Sequence, residues 1–130
     1  MSITYEQVMA MEPGEELDYA VAEYVFGKTR AYYHCPHLDE GRMLGFCACP
    51  DLPRRSTDWR ETGKLIDKMV HEWPDFNLGT MMDLAGNPIW SCMHGCDGYG
   101  WPEIIGKTGQ EVVCKAAIIA EILVKELECL

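Results

Sequence analysis

The stretch from Thr108 to Leu130 constrains the fold more than any other part of the chain. Thr108 and Glu111 have the spacing of a capping box, in which a hydroxyl and a carboxylate each accept a backbone N–H at a helix start. The positions that follow are apolar around most of a helical circumference: Val112, Val113, Ala116, Ala117, Ile119, Ala120, Leu123, Val124 and Leu127. A helix this short and this charged does not suit a membrane span, so we expect the rest of the domain to cover it.

A narrow polar stripe interrupts this apolar surface. Lys115 follows Glu111 by four residues and Lys125 follows Glu121 by four, the spacing at which opposite charges pair on a helix. The sequence therefore predicts two ion pairs along the last helix.

Bulk composition limits the class of protein and its partners. The 130 residues suit one domain, and the formal net charge is −10, which repels a phosphate backbone and argues against direct nucleic-acid binding. The same acidity suits a partner with a basic groove. The start, Met1–Thr4, has no signal-peptide pattern, so we expect the seven cysteines to be free or metal-bound in a reducing compartment.

Hydrophobic periodicity predicts an α+β domain. Thr4 and Gln7 cap a short first helix, and a second helix runs from Glu15 towards Gly27. Short strands are predicted over 30–34 and 42–49. A third helix begins at Ser56–Thr57–Asp58 and places Trp59, Ile66, Met69, Val70 and Trp73 on one face, where Gly63 suggests a close contact.

The last part of the chain predicts a hairpin before the final helix. Residues 76–84 alternate as in a half-buried strand, 85–88 form a turn, and 89–94 return as a second strand. Residues 95–106 are predicted to be a glycine-rich loop. Strands joined by turns give an antiparallel sheet, and the helices are expected to pack against it.

Three segments resemble the phage ABA sandwich domain family. They are Met11–Gly27, Leu52–Asp58 with its Ser-Thr-Asp helix start, and Lys115–Ala120 with the run Lys-Ala-Ala-Ile-Ile-Ala. The resemblance covers nearly the whole chain and implies a helix–sheet–helix sandwich encoded by a bacteriophage or prophage. The chain departs from the family in having an arginine just before Ser56, and in its cysteine-rich hairpin. The family carries no established catalytic residues, so the resemblance implies none here.

An insert at about 34–50 holds candidate zinc ligands. Cys35 and His37 precede a short connection, and Cys47 and Cys49 follow it, so that four soft ligands could close a structural Zn²⁺ site. The spacings C-x-H and C-x-C differ from the usual C-x₂-C. The alternative is that Cys47 and Cys49 are small buried hydrophobic residues on a strand.

A second cysteine cluster lies in the hairpin. Cys92, His94 and Cys96 share one face of an extended strand, so they could add metal ligands or form a Cys–His nucleophile. Catalysis also needs an orienting carboxylate and an oxyanion hole, which only Asp97 hints at. Such residues more often line a core or a crevice.

A third cluster suggests a ligand pocket. Tyr99 and Trp101 in the glycine-rich loop, with Trp90 before it, offer flat faces for a nucleobase, and Arg54 and Arg55 could bind its phosphate. The helix start after Arg55 is itself suited to an anion. In the alternative interpretation, Trp90 and Trp101 only cover the core.

The sequence contains no motif of an enzyme, and we expect a protein that acts by binding. The leading hypothesis is a non-enzymatic phage accessory protein in the cytoplasm of the infected bacterial host, working in counter-defence by sequestering a nucleotide-type immune signal. The alternatives are an acidic inhibitor of a basic host protein and a small zinc-binding accessory protein. No membrane partner is expected, and homo-oligomer formation is left open.

Overall fold

The computed structural model describes residues 3–33, 51–72, 76–93, 95–96, 99–100 and 103–128; at 95–96, 99–100 and 123–128 only the backbone is described. The helices are α1 (Tyr5–Ala10), α2 (Glu15–Tyr24), α3 (Arg30–Tyr33), α4 (Trp59–Glu72) and α5 (Gly109–Glu128). The strands are β1 (Asn77–Met82), β2 (Pro88–Met93), β3 (Gly95–Cys96), β4 (Tyr99–Gly100) and β5 (Ile104–Gly106). These elements confirm the α+β prediction, with an antiparallel sheet packed by helices.

Helix α5 is the centre of the core, as its apolar circumference predicts. Every residue from Glu111 to Ala120 is buried. The helix contacts α1, α2 and α4, and it also contacts β1, β2 and β5. Because neighbours enclose it, the apolar side chains of this helix are removed from water, which stabilises the domain. No helix in the described ranges has the length and apolar character to cross a membrane.

The predicted Glu111–Lys115 pair forms, and it is buried. Lys115 Nζ lies 3.3 Å from Glu111 Oε2, and only 5% and 9% of the two side chains are exposed. Lys115 also donates to the Met9 carbonyl of α1 at 3.0 Å, while Glu111 Oε1 accepts the Lys107 N–H at 3.1 Å. The pair therefore connects α1, the turn after β5 and α5. The Glu121–Lys125 pair involves a side chain outside the described ones.

The capping predictions hold in detail at α1 and in part at α5. The Thr4 hydroxyl accepts the Gln7 N–H at 3.2 Å and the Gln7 side chain accepts the Thr4 N–H at 2.9 Å, a complete capping box. At α5 the Thr108 hydroxyl accepts the Glu111 N–H at 3.2 Å. In a complete capping box, the Glu111 carboxylate would accept the Thr108 N–H. It instead accepts the N–H of Lys107, the residue before Thr108.

The main sheet has the strand order β1-β2-β5, with both pairs antiparallel. Cys92 lies opposite Leu78 on one side and Ile104 on the other, so these three side chains share the inward face. The prediction of a loop over 95–106 was wrong in two places. Gly95–Cys96 and Tyr99–Gly100 form a two-stranded antiparallel sheet, and Ile104–Gly106 is the third strand of the main sheet. Three residues are too short a strand to show a period-2 pattern.

The predicted strand over 30–34 was also wrong, because Arg30–Tyr33 forms the short helix α3. Arg30 lies over the Tyr19 ring at 4.2 Å and pairs with Glu16 at 2.7 Å, and Tyr33 meets Tyr19 edge-on. These contacts to α2 override the strand preference of the tyrosines. The strand predicted over 42–49 lies outside the described residues.

The apolar face predicted for α4 is divided in two. Thr62, Leu65 and Met69 are buried in the core, while Trp59 and Val70 are 46% and 48% exposed. The close contact predicted at Gly63 was wrong, since a Cβ built there meets no atom within 4 Å. Trp59 and Val70 therefore belong to a second, exposed apolar stripe along α4. Trp73, which was predicted to lie on the same face, is outside the described residues.

Candidate functional site

The turn before α4 is held against α2 by buried hydrogen bonds. The Ser56 N–H donates to Asp18 Oδ1 at 2.8 Å, and the Gly14 N–H donates to Ser56 Oγ at 2.8 Å. Asp18 and Ser56 are both buried, so these bonds are shielded from water and fix the turn firmly. The two arginines predicted to bind a ligand directly precede Ser56, and this anchoring sets their position.

The Thr62 hydroxyl fixes the backbone of Arg55 from the other side. Its Oγ1 donates to the Arg55 carbonyl at 2.6 Å and reaches the Asp58 carbonyl at 2.9 Å. Arg54 is exposed, whereas Arg55 is half-buried. Of the two predicted arginines, Arg55 is therefore the one that the fold orients.

The guanidinium of Arg55 lies against an aromatic ring. Its carbon is 4.1 Å from the centre of the Phe26 ring, and Lys68 Nζ lies 5.6 Å from the same centre. Two cations thus converge on one side chain of a strongly acidic protein. The sequence did not indicate Phe26 or Lys68. Phe26 lies in the turn after α2 and Lys68 lies within α4, and nothing in their local pattern links them to Arg55.

Two donors of Arg55 are buried without a hydrogen-bond acceptor. Within the described part of the chain, neither Nε nor Nη1 has a partner, and both atoms are shielded from solvent. An unmade hydrogen bond of this kind costs about 1–3 kcal/mol, more for a charged group. A fold that fixes an arginine in such a state holds a planar donor set that suits a carboxylate or phosphate.

The two cysteines with described side chains, Cys92 and Cys114, are buried and unreactive. Burial raises the pKa of the Cys114 thiol; the charge of Asp18 raises it further, and the charge of Arg55 lowers it. Burial raises the pKa of the Cys92 thiol to about 12. Both thiols are therefore protonated at neutral pH, which disfavours Cys92 as a nucleophile.

Trp90 lies in a different place from Arg55. Its ring centre is 5.7 Å from that of Trp59, with the planes tilted by 52°. Lys68 follows Trp59 by nine residues, which is two and a half helical turns, so the two side chains project from opposite flanks of α4. Arg55 and Lys68 both contact the Phe26 ring on one flank of α4. Trp90 contacts Trp59 on the other flank. The structure thus separates two residues that the sequence assigned to one pocket.

The Trp59–Trp90 pair packs on the first residue of α5. A Cβ built on Gly109 would lie 2.5 Å from Trp59 Cη2 and 3.0 Å from Trp90 Cε3, closer than side-chain packing allows. Glycine is thus required here by the approach of two indole rings. This agrees with the alternative in which Trp90 covers the core.

Gly109→Ala is expected to lower the free energy of unfolding by about 1–3 kcal/mol, because the added methyl must displace two tryptophan rings. Chemical unfolding followed by tryptophan fluorescence measures the change. The matched control is Gly79→Ala, since a Cβ at Gly79 meets nothing within 4 Å. An equal effect of the two substitutions would contradict the tight packing at Gly109.

The remaining predicted site residues lie outside the described ones. The side chain of Tyr99 and the whole of Trp101 are among them, as are the four predicted zinc ligands Cys35, His37, Cys47 and Cys49. Across the described residues, no three His, Cys, Asp or Glu side chains are grouped closely enough to hold a metal ion. The zinc site stays a prediction.

Comparisons with known proteins leave the chain without an assigned relative. Protein-family models, curated proteins and solved structures were all compared with it, and none of them matches. The family resemblance of the three sequence segments therefore stays a prediction as well.

Proposed function

We propose that the protein acts by binding, as a non-enzymatic phage accessory protein that sequesters a nucleotide-type immune signal in counter-defence. The observation that supports this best is the pair of buried, unpartnered donors on Arg55. A phosphate accepts charge-assisted N–H bonds from a guanidinium, and a bound phosphate would satisfy one of these two donors. The Nε–H and Nη1–H bonds diverge, so the second donor would need a separate acceptor atom. Lys68, on the same Phe26 ring, adds a cation nearby, although its charge is partly neutralised by its ion pair with Glu72.

The base of such a nucleotide needs a flat surface. The sequence offers Tyr99 and Trp101 for this role, while the contacts of Trp90 are with Trp59 on the opposite flank of α4. We therefore assign the phosphate to Arg55 and the base to Tyr99 or Trp101. Stacking of a base on an aromatic side chain contributes about 1–3 kcal/mol.

Arg55→Met is expected to weaken nucleotide binding by about ten- to a hundredfold without weakening the fold. The substitution removes two buried donors that lack acceptors, so the free energy of unfolding should stay the same or rise, whereas loss of a charge-assisted contact should cost about 1.5–3 kcal/mol of binding. Thermal shift with a panel of cyclic and ADP-ribose-derived nucleotides, followed by calorimetry on any that raise the melting temperature, measures both effects.

Arg30→Ala serves as the matched control, because it removes the same charge from an exposed pair with Glu16. It should leave nucleotide affinity nearly unchanged. Bound nucleotide should be recovered chemically intact after heating, and turnover would contradict a non-enzymatic role. If no nucleotide or inorganic phosphate binds, or if Arg55→Met unfolds more easily than the parent, Arg55 is a structural residue and the proposal fails.

The charge of the protein favours one alternative, an acidic inhibitor of a basic host protein. The net charge is −10, and exposed glutamates lie on and beside α1 and α2 at Glu6, Glu12, Glu15, Glu16 and Glu23. Such a surface can mimic nucleic acid in a basic groove. Tight co-purification of a host protein, without any nucleotide effect, would favour this function.

A further inference from the structure

The exposed stripe of α4 has the spacing of a helix–helix interface. Trp59, Gly63, Ile66 and Val70 follow one another at intervals of four, three and four residues, the repeat that lines one side of a coiled coil. Trp59 and Val70 are each about half exposed, at 46% and 48%. Ile66 packs partly against the core of its own chain and is partly exposed beside them. The core-facing residues Thr62, Leu65 and Met69 lie beside this stripe and are fully used within the chain.

Gly63 leaves a notch in the middle of the stripe. A Cβ there would meet no atom within 4 Å, so the notch faces open space. A large side chain from a neighbouring helix fits such a notch, because the missing side chain lets the two backbones approach closely. The stripe therefore has both a knob, Ile66, and a hole one turn away.

We propose that this stripe pairs with the same stripe of a second copy, in an antiparallel two-fold arrangement of two α4 helices. About a centre midway between Gly63 and Ile66, Ile66 of each copy faces Gly63 of the other, and Trp59 faces Val70. The pattern is thus complementary to itself, which a two-fold interface requires. The occupant is a second copy of this chain.

The flanking charges select the same arrangement. Arg60 and Asp67 lie on the solvent side of the stripe, and each is exposed. In an antiparallel pair these flanking positions of one helix meet the same positions of the other, which brings Arg60 of one copy within a turn of Asp67 of the other. Two Arg60–Asp67 ion pairs would form, in competition with the 3.6 Å contact between Arg60 and Asp58 within each chain. In a parallel pair the two flanks lie on opposite sides of the interface, so these ion pairs could not form. Positive and negative charges are balanced beside this stripe, whereas the chain as a whole has a net charge of −10. Pairing through the stripe therefore keeps the acidic surfaces of the two copies apart.

Sedimentation equilibrium of the full chain under reducing conditions tests the pairing. We expect concentration-dependent association to twice the chain mass of 14.7 kDa. Val70→Glu should give a monomer, because two buried carboxylates would be added to the interface. Ile105→Glu is the matched control: Ile105 is 45% exposed on the outer face of the sheet, so its substitution should leave the dimer intact.

Exchanging the charges at positions 60 and 67 tests whether the dimer uses this interface or a different one. Arg60→Asp and Asp67→Arg should each raise the dimer Kd about tenfold, since each sets two like-charged pairs in place of two attractive ones. The double exchange should restore the affinity to within about twofold of the parent. A monomer at every concentration, a dimer that Val70→Glu leaves unchanged, loss of the dimer in Ile105→Glu, or no restoration in the double variant would each overturn the proposal.

Discussion

Lys115→Met is expected to lower the free energy of unfolding by about 3–5 kcal/mol, the usual cost of removing one partner of a buried ion pair. Among the described residues, the substitution leaves the buried Glu111 carboxylate with the Lys107 N–H as its one remaining partner. It also removes the donor that holds the Met9 carbonyl of α1. Urea unfolding at neutral pH, followed by circular dichroism, measures the loss.

The exposed pair of Lys64 with Glu61 is the matched control. It also lies within one helix and has a similar distance, 3.2 Å, but the Lys64 side chain is 73% exposed. Lys64→Met should therefore cost only about 0–1 kcal/mol. Adding Glu111→Gln to Lys115→Met should recover part of the stability, because the uncompensated charge is then gone. Equal losses for Lys115→Met and Lys64→Met would show that water reaches the Glu111–Lys115 pair.

Local signals predicted most of the helices. The Thr4 and Thr108 caps, the limits of α2 and the apolar circumference of α5 all depend on residues within a few positions of each other, which a sequence displays directly. The hairpin of β1 and β2 was predicted for the same reason, since a turn joins two alternating segments.

Features set by distant contacts were missed. Glu111 and Lys115 have the spacing of an ion pair on a solvent-exposed helix face. In the structure the pair is buried, and Lys115 donates to the Met9 carbonyl of α1, which the sequence pattern does not indicate. Likewise α3 forms where the tyrosines meet Tyr19 on α2, and β5 forms because Ile104 finds a place beside Cys92. Tertiary packing overrode the local preference in both segments.

The contacts around Arg55 were not predicted from the sequence. The sequence singled out Arg55 from its place before a helix start, but its ring partner Phe26 and the second cation Lys68 lie far away in the chain. Whether the guanidinium donors of Arg55 have hydrogen-bond partners depends on which acceptors the fold places around them. No sequence pattern predicts those acceptors. Trp90 was assigned to the same pocket because sequence order cannot tell the two flanks of α4 apart.

Ala117→Asp is expected to lower the free energy of unfolding by roughly 3 kcal/mol or more. Ala117 is only 2% exposed, and every described neighbour from Val113 to Ala120 along α5 is buried too, so the carboxylate would enter a core without room or solvent. Urea unfolding measures the change, with Ala31→Asp on the exposed helix α3 as the control. That control should stay within about 0.5 kcal/mol of the parent. If both variants unfold at the parent's urea midpoint, α5 is not enclosed as described, and the packing of the sheet and the other helices around it would have to be abandoned.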